Sequence, residues 1–197
     1  MKNILKHTKK GILMVALLAT VTGFANDAKG IIKKDARKTS LIIENVKVGN
    51  LLSIKDTNGV VLYKESIDTN GVYTKGFDLT ALPDGKYNFE LEKDLEINTI
   101  PFSVESNIVS INRTEETTYY KPFIKQEDDL VYITKLDLNQ EVASINIYSY
   151  ANGDYNLSHS EKIEGGKVIE KVFKLEEGNY KIEINSANKE YTAFINN

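Results

Sequence analysis

Only two histidines and no cysteine stand in the 197 residues, so the acid–base and nucleophilic chemistry open to this chain is narrow. His7 lies in a basic amino-terminal stretch, which leaves His159 as the one imidazole on which a Ser-His-Asp arrangement would depend. It sits in Tyr155-Asn156-Leu157-Ser158-His159-Ser160-Glu161, whose alternation reads as a strand. Strand parity puts His159 on one face with Tyr155 and Leu157, and no Gly-x-Ser-x-Gly elbow presents a nucleophile to it. The absence of cysteine excludes thiol catalysis, disulfide frameworks, cysteine-bound zinc and iron–sulfur clusters. One histidine leaves a metal only carboxylates, which suit hard cations. The two Asp-Thr-Asn-Gly tetrapeptides, 56–59 and 68–71, resemble the start of a calcium loop but lack its further oxygen ligands. No glycine-rich phosphate loop occurs. We therefore expect no catalytic residue, metal or cofactor. Glu127-Asp128-Asp129 is the densest acidic run, and like charges in sequence favour a solvated hairpin tip. A hydrolase using carboxylates alone is the enzymatic alternative; it needs two acids across a cleft, which neighbours on a tip do not supply.

Tyrosine is the residue type that suggests binding. There are 11 tyrosines, and Tyr148, Tyr150 and Tyr155 cluster in sequence as a candidate surface for a protein or a glycan, each offering ring area with a polar tip. Tyr119 and Tyr120 are expected near a domain junction. Tyr87 and Tyr180 read as structural, similar to tyrosine corners at the starts of their strands.

The elements that would position these residues occur twice. Leu82-Pro83-Asp84-Gly85-Lys86-Tyr87 returns as Leu175-Glu176-Glu177-Gly178-Asn179-Tyr180, Ser53-Ile54 as Ser144-Ile145, and Asn58-Gly59 as Asn152-Gly153. Offsets between 91 and 94 are too long for a solenoid repeat and point to tandem domains. Within each copy the hydrophobic period is two. Tyr87, Phe89 and Leu91 alternate with Lys86, Asn88 and Glu90, and Tyr180, Ile182 and Ile184 alternate with polar residues, the signature of an antiparallel sheet with one wet face. Turns are expected at Asn58-Gly59, Asn70-Gly71, Gly85 and Gly178. The two Asn-Gly pairs suit type I′ hairpins between neighbouring strands. Many short strands with such spacing predict an all-β chain of two tandem immunoglobulin-like or fibronectin III-like antiparallel β-sandwich domains; small barrels are the other architecture with this pattern.

The amino terminus reads as an address. Lys2, Lys6, Lys9 and Lys10 precede the 15-residue apolar run Gly11–Ala25, shorter than the roughly 20 residues of a spanning helix. This is the form of a secretory signal peptide, with cleavage expected after Ala25; an uncleaved anchor is the competing reading. No cysteine at the cut means no lipoprotein. Removing four lysines and no acid takes the formal charge from −3 to −7. Such a chain is a poor partner for nucleic acid, and no membrane insertion of the mature chain is expected. The organisation expected is a signal peptide over 1–25, a basic arm or first strand over 26–38, one sandwich over 39–112 and another over 113–197.

Leu52-Ser53-Ile54-Lys55-Asp56-Thr57-Asn58-Gly59-Val60-Val61-Leu62-Tyr63, followed by Phe77-Asp78-Leu79-Thr80-Ala81-Leu82-Pro83-Asp84-Gly85-Lys86-Tyr87, resembles small β-sandwich modules of exported Bacteroidota proteins. The pattern is similar to the C-terminal sorting domains of type IX secretion cargo. The resemblance covers about half of each copy and implies a sandwich fold and export. Two departures limit it: no cargo domain is read in these 197 residues, and the better match is the first copy. The sequence thus predicts an exported, non-enzymatic protein of the periplasm, cell surface or medium, with a binding, adhesion or structural role. A component or passenger of the type IX route is the alternative.

Overall fold

The computed structural model describes residues 30–197; the signal-peptide reading of 1–25 lies outside the described residues. The chain is nearly all strand and divides into two compact units, with the boundary between Thr118 and Tyr119.

In the first unit the strands are β1 (Ile31–Asp35), β2 (Thr39–Val46), β3 (Leu51–Asp56), β4 (Val61–Ser66), β5 (Gly71–Phe77), β6 (Gly85–Glu92), β7 (Glu96–Glu105) and β8 (Ile108–Asn112). One sheet runs β1-β8-β7-β6-β3-β4, with a short strand β9 (Thr117–Tyr120) pairing with β7 off this path, and β2 pairs with β5 in a second. Alternation drives the layering: Leu41 and Ile43 from β2 meet Leu52, Ile54, Phe89, Leu91 and Phe102 from the large sheet in one buried core. Aromatic rings fill its centre, with Phe89 stacked on Phe102 at 4.4 Å and tilted against Phe77 at 5.5 Å between centroids.

The basic stretch before Thr39 contains strand β1, which pairs with β8 from Ile31↔Asn112 to Asp35↔Ile108. Residues 113–118, placed by sequence with the second domain, belong to the first unit. Arg113 donates from Nη2 to the Ile42 carbonyl at 2.7 Å, and Asn98 Nδ2 donates to Thr118 Oγ1 at 2.9 Å. Neither contact involves an apolar periodicity, so alternation in the sequence does not reveal it.

The second unit holds β10 (Phe123–Glu127), β11 (Leu130–Leu136), β12 (Ala143–Ala151), β13 (Asp154–Ile163), β14 (Val168–Lys174), β15 (Asn179–Ser186) and β16 (Lys189–Asn196). A three-stranded sheet, β10-β11-β14, accompanies a four-stranded one, β13-β12-β15-β16. This three-and-four division is fibronectin III-like. Its core gathers Val131, Ile133, Ile145, Ile147, Leu175, Ile182 and Ile184.

The duplication is visible in strand order and register. The order β4-β3-β6-β7 recurs as β13-β12-β15-β16, and the β2-β5 pair recurs as β11-β14. Ile54 stands between Tyr63 and Phe89, as Ile147 stands between His159 and Ile182. Leu52 stands between Glu65 and Leu91, as Ile145 stands between Glu161 and Ile184. Ile54 therefore corresponds to Ile147, and the Ser-Ile match to Ile145 is a coincidence two residues out of step. It passes unnoticed in sequence because a shift of two keeps the same face. The units differ at their margins: β10 joins β11, whereas β1 joins β8 on the opposite sheet.

The turns depart from expectation in detail. Gly59 has φ +82° but Asn58 does not have positive φ, so the β3–β4 turn is not type I′. Asp56 Oδ1 instead accepts from Asn58 N and Val60 N, both at 2.9 Å, and the Asp56 carbonyl accepts from Gly59 N at 3.1 Å. This is a type I turn closed by a left-handed glycine. Asn70-Gly71 joins no hairpin: β4 pairs with β3 and β5 with β2, so the segment crosses between sheets. Asn70 Oδ1 accepts from Val48 N at 3.0 Å there. Gly85 and Gly178 precede their tyrosines by two, and in each unit the ring lies about 3.6 Å from where a Cβ on that glycine would be. Tyr87 donates its hydroxyl to the Pro83 carbonyl at 2.8 Å, while Tyr180 is half-buried against the second core.

Candidate functional site

A short constellation closes the same flank of both sandwiches. In the first unit Tyr63 and Glu65 of β4 face Lys75 and Phe77 of β5. Tyr63 packs edge-on to Phe77 at 5.6 Å, donates to Glu65 Oε2 at 2.5 Å and accepts from Lys75 Nζ at 2.7 Å; Lys75 is ion-paired with Glu65, which also accepts from Tyr73. In the second unit His159 and Glu161 of β13 face Lys171 and Phe173 of β14. His159 lies 5.2 Å from Phe173 and its Nε2 is 3.9 Å from Glu161 Oε2, while Lys171 pairs with Glu161. His159 thus takes the register position of Tyr63 and rests at an exposed edge against Phe173.

The carboxyl of Glu65 feels opposing influences. Burial pushes it up, but hydrogen bonds from Lys75, Tyr63 and Tyr73 outweigh this and hold it below the usual range. A folded value depressed below the unfolded one means that the linkage stabilises the chain above about pH 4.5 and fades as pH falls through the folded value. Glu65→Gln is expected to flatten that acid limb in urea melts taken between pH 2 and 6; an unaltered limb would refute the coupling.

A bulge beside this flank sorts inward from outward side chains. The register slips between Ile147 and Tyr148, where Ser158 is passed over and its Oγ donates to the Ile147 carbonyl at 2.9 Å. His159 consequently turns to the core side of this edge strand, opposite Ile147, where its side chain stays 46% exposed, while Leu157 and Tyr155 turn outward, opposite Tyr148 and Tyr150. The parity expectation that grouped His159 with Tyr155 and Leu157 is therefore corrected: one extra residue reverses the alternation. The first unit slips at the matching point, between Ile54 and Lys55.

The outward face of β13-β12-β15-β16 gathers the aromatic side chains. Tyr148, Tyr150 and Tyr155 come together there, joined by Leu157 and by Phe194, which is 66% exposed. Leu157, Tyr148, Lys181 and Phe194 form one row across all four strands. Tyr155 lies 5.1 Å from Tyr150 and 6.0 Å from Phe194, with its ring tilted to both. Lys181 lies over the Tyr148 ring at 4.3 Å and near that of Tyr155 at 5.6 Å, and is ion-paired with Glu183 at 2.8 Å. That pairing raises the Lys181 ammonium above its usual range and holds Glu183 below its own; the hydrogen bond to Glu183 pushes the Tyr148 phenol up. Sequence reasoning missed Phe194 and Leu157. Their alternation was visible, but only the register shows that β16 lies beside β15 and completes the row.

The corresponding row of the first unit is Val61, Lys55, Asn88 and Pro101. Lys55 there pairs with Glu90. Among the described residues, the aromatic face belongs to the second unit.

Farther along the same strands the face deepens into an open cavity of about 880 Å³, lined by Ser144, Ser160, Lys162, Asn185 and Glu190 among others. Lys162, Ser144, Asn185 and Glu190 make up another cross-strand row. Ser160 Oγ donates to Asn146 Oδ1 at 2.7 Å between this row and the aromatic one.

Inside the second sandwich, Lys135 and Asp137 are buried and 3.3 Å apart at the ion-pair atoms. The Tyr119 ring lies 4.8 Å from Lys135 Nζ and stacks on Tyr191 at 5.9 Å. Burial pushes the Tyr119 phenol above its ordinary range. Lys135 stands opposite Ile169 where the first unit sets Ile43 opposite Tyr73.

Glu127, Asp128 and Asp129 close the β10–β11 hairpin, where Asp129 pairs with Lys174 at 2.9 Å and Glu127 with Lys125. Among the described residues no group of three or more histidine or acidic side chains is placed to hold a metal. Among the described residues, no helix is long and apolar enough to cross a membrane.

No family model matches the chain, and no curated protein matches it. A solved structure described as "Biofilm associated protein - BSP domain" aligns at 10% identity and TM-score 0.26, covering 82% of this chain and 28% of that one. The chain spans little more than a quarter of that structure's length, and a score of this size does not establish a common topology.

Proposed function

We propose that the chain is an exported, non-enzymatic binding or structural protein of the cell envelope, and that it binds through the outward aromatic face of its second unit. The observation that carries this is the convergence of Tyr148, Tyr150, Tyr155, Leu157 and Phe194 on one sheet face. The matching face of the first unit carries none of these rings. Two units with one plan share what folding requires; a patch present in only one has no such explanation, and contiguous exposed rings mark interaction surfaces. Export rests on the basic and apolar Met1–Ala25 sequence.

The test is sedimentation of labelled full chain with cell-envelope fractions, comparing the unaltered chain with Y150A/F194S and with Lys55→Ala on the first unit. The double variant is expected to bind at least about tenfold less tightly, one or two ring contacts of about 0.5–1.5 kcal/mol each, with Lys55→Ala unchanged. Equal binding by all three, or release of new reducing ends from the fractions, would overturn the reading.

A second reading, passage through the type IX route, is supported by the residue pattern of 52–63 and 77–87, which spans the β3–β4 hairpin and the entry to β6. Unchanged localisation in cells lacking that machinery would remove it.

A further inference from the structure

We propose that the ligand of this face is an uncharged oligosaccharide chain lying along the strands of β13-β12-β15-β16, with one end against the aromatic rings and the other in the cavity beside Ser144 and Asn185. The inference rests on the binding role proposed above and names its ligand class.

Three features select this class. First, the face is elongated. Tyr148 and Ser144 lie on the same side of β12 four residues apart, about 13–14 Å at strand rise, and the cavity opens around Ser144. The surface therefore offers a strip rather than a round patch. Second, its chemistry changes along the strip in the way a sugar chain requires. Sugars present apolar C–H faces and a rim of hydroxyls. Tyr150, Tyr155 and Phe194 supply ring faces, and Asn146, Ser160, Ser144 and Asn185 supply amide and hydroxyl partners in the next rows.

Third, both lysines of the strip are paired with carboxylates, and Glu190 adds one further negative charge. Lys181 is paired with Glu183 at 2.8 Å and Lys162 with Glu164 at 2.5 Å. Paired in this way the lysines offer no positive surface to a polyanion, yet they hold oriented donors and acceptors for hydroxyl groups. The same pair argues against a protein as occupant. The centre of a protein interface is depleted in charge, whereas Lys181 and Glu183 stand in the middle of this face, between Tyr148 on β12 and the β16 strand.

The experiment uses full-length chain on an array of immobilised neutral oligosaccharides, three to six units long and of gluco, manno, galacto and xylo configuration, beside sulfated and uronic-acid oligomers. Binding is expected among the neutral members, to persist in 1 M NaCl (about a 3 Å screening length), and to fall about tenfold in Tyr155→Ala and, independently, in Asn185→Ala. Unchanged thermal melting would show that both variants keep their fold. Silence across the neutral members, binding confined to charged ones, or binding indifferent to both substitutions would overturn the proposal. Silence on the array together with envelope binding that still depends on Tyr150 and Phe194 would reject the sugar and leave the binding role standing.

Discussion

Truncation of Phe89 to alanine is expected to cost the first unit about 3–5 kcal/mol. The ring is fully buried and central, stacked on Phe102 and tilted against Phe77. Its strand is held on both sides, by β3 and by β7, so the backbone cannot close the cavity. The loss should fall on the first unit's unfolding transition alone, because the two cores share no residue. Phe194→Ala serves as the contrast: its ring is exposed, and a surface change of this kind stays within about 0.5 kcal/mol. Urea melts followed by tyrosine fluorescence would measure both. A cost below about 1 kcal/mol for Phe89→Ala would refute the packing described for this core.

A comparable loss, about 3–5 kcal/mol, is expected for Asp137→Ala in the second unit, for a different reason. Lys135 is 3% exposed and Asp137 5%. Their ion-pair atoms are 3.3 Å apart, but Asp137 Oδ2 has no aligned hydrogen bond. Removing the carboxylate strands an ammonium in a place that water does not reach, where the Tyr119 ring compensates only in part. The double variant K135M/D137A removes both charges. It should recover most of the loss, since buried pairs are often replaced by apolar residues at little or no cost. The first unit supplies the precedent, with Ile43 at the matching position. A double-mutant cycle on the full chain decides the matter: additive losses would mean that the two groups do not interact.

The all-β plan was legible because period-two alternation is a local property. Tyr87, Phe89 and Leu91 show it without any knowledge of their partners, and the Gly-x-Tyr repeats show the duplication. Pairing is not local. That Asn70-Gly71 crosses between sheets while Asn58-Gly59 closes a hairpin depends on where β5 finds β2, a long-range pairing that neither dipeptide encodes. The bulge at Ser158 shows the same limit at smaller scale: the residues alternate in sequence, yet His159 and Leu157 point to opposite sides. Tyr148, Tyr150 and Tyr155 were recoverable as a group because one hairpin carries them; Phe194 needed the third and fourth strands. Lys135 gave no signal, since an inward lysine in Leu130–Leu136 reads as a solvent-facing one until β14 covers it.

The paired lysine and glutamate at the flank of each sandwich also bear on what the molecule avoids. Strands β4, β5, β13 and β14 end their sheets, and each exposes a row of backbone groups that a neighbouring molecule could zip onto. The Lys75–Glu65 and Lys171–Glu161 pairs set inward-pointing charges along these edges, a feature that opposes such pairing. On these four edges the flank thus discourages strand addition between copies, with the same side chains that lie against each core.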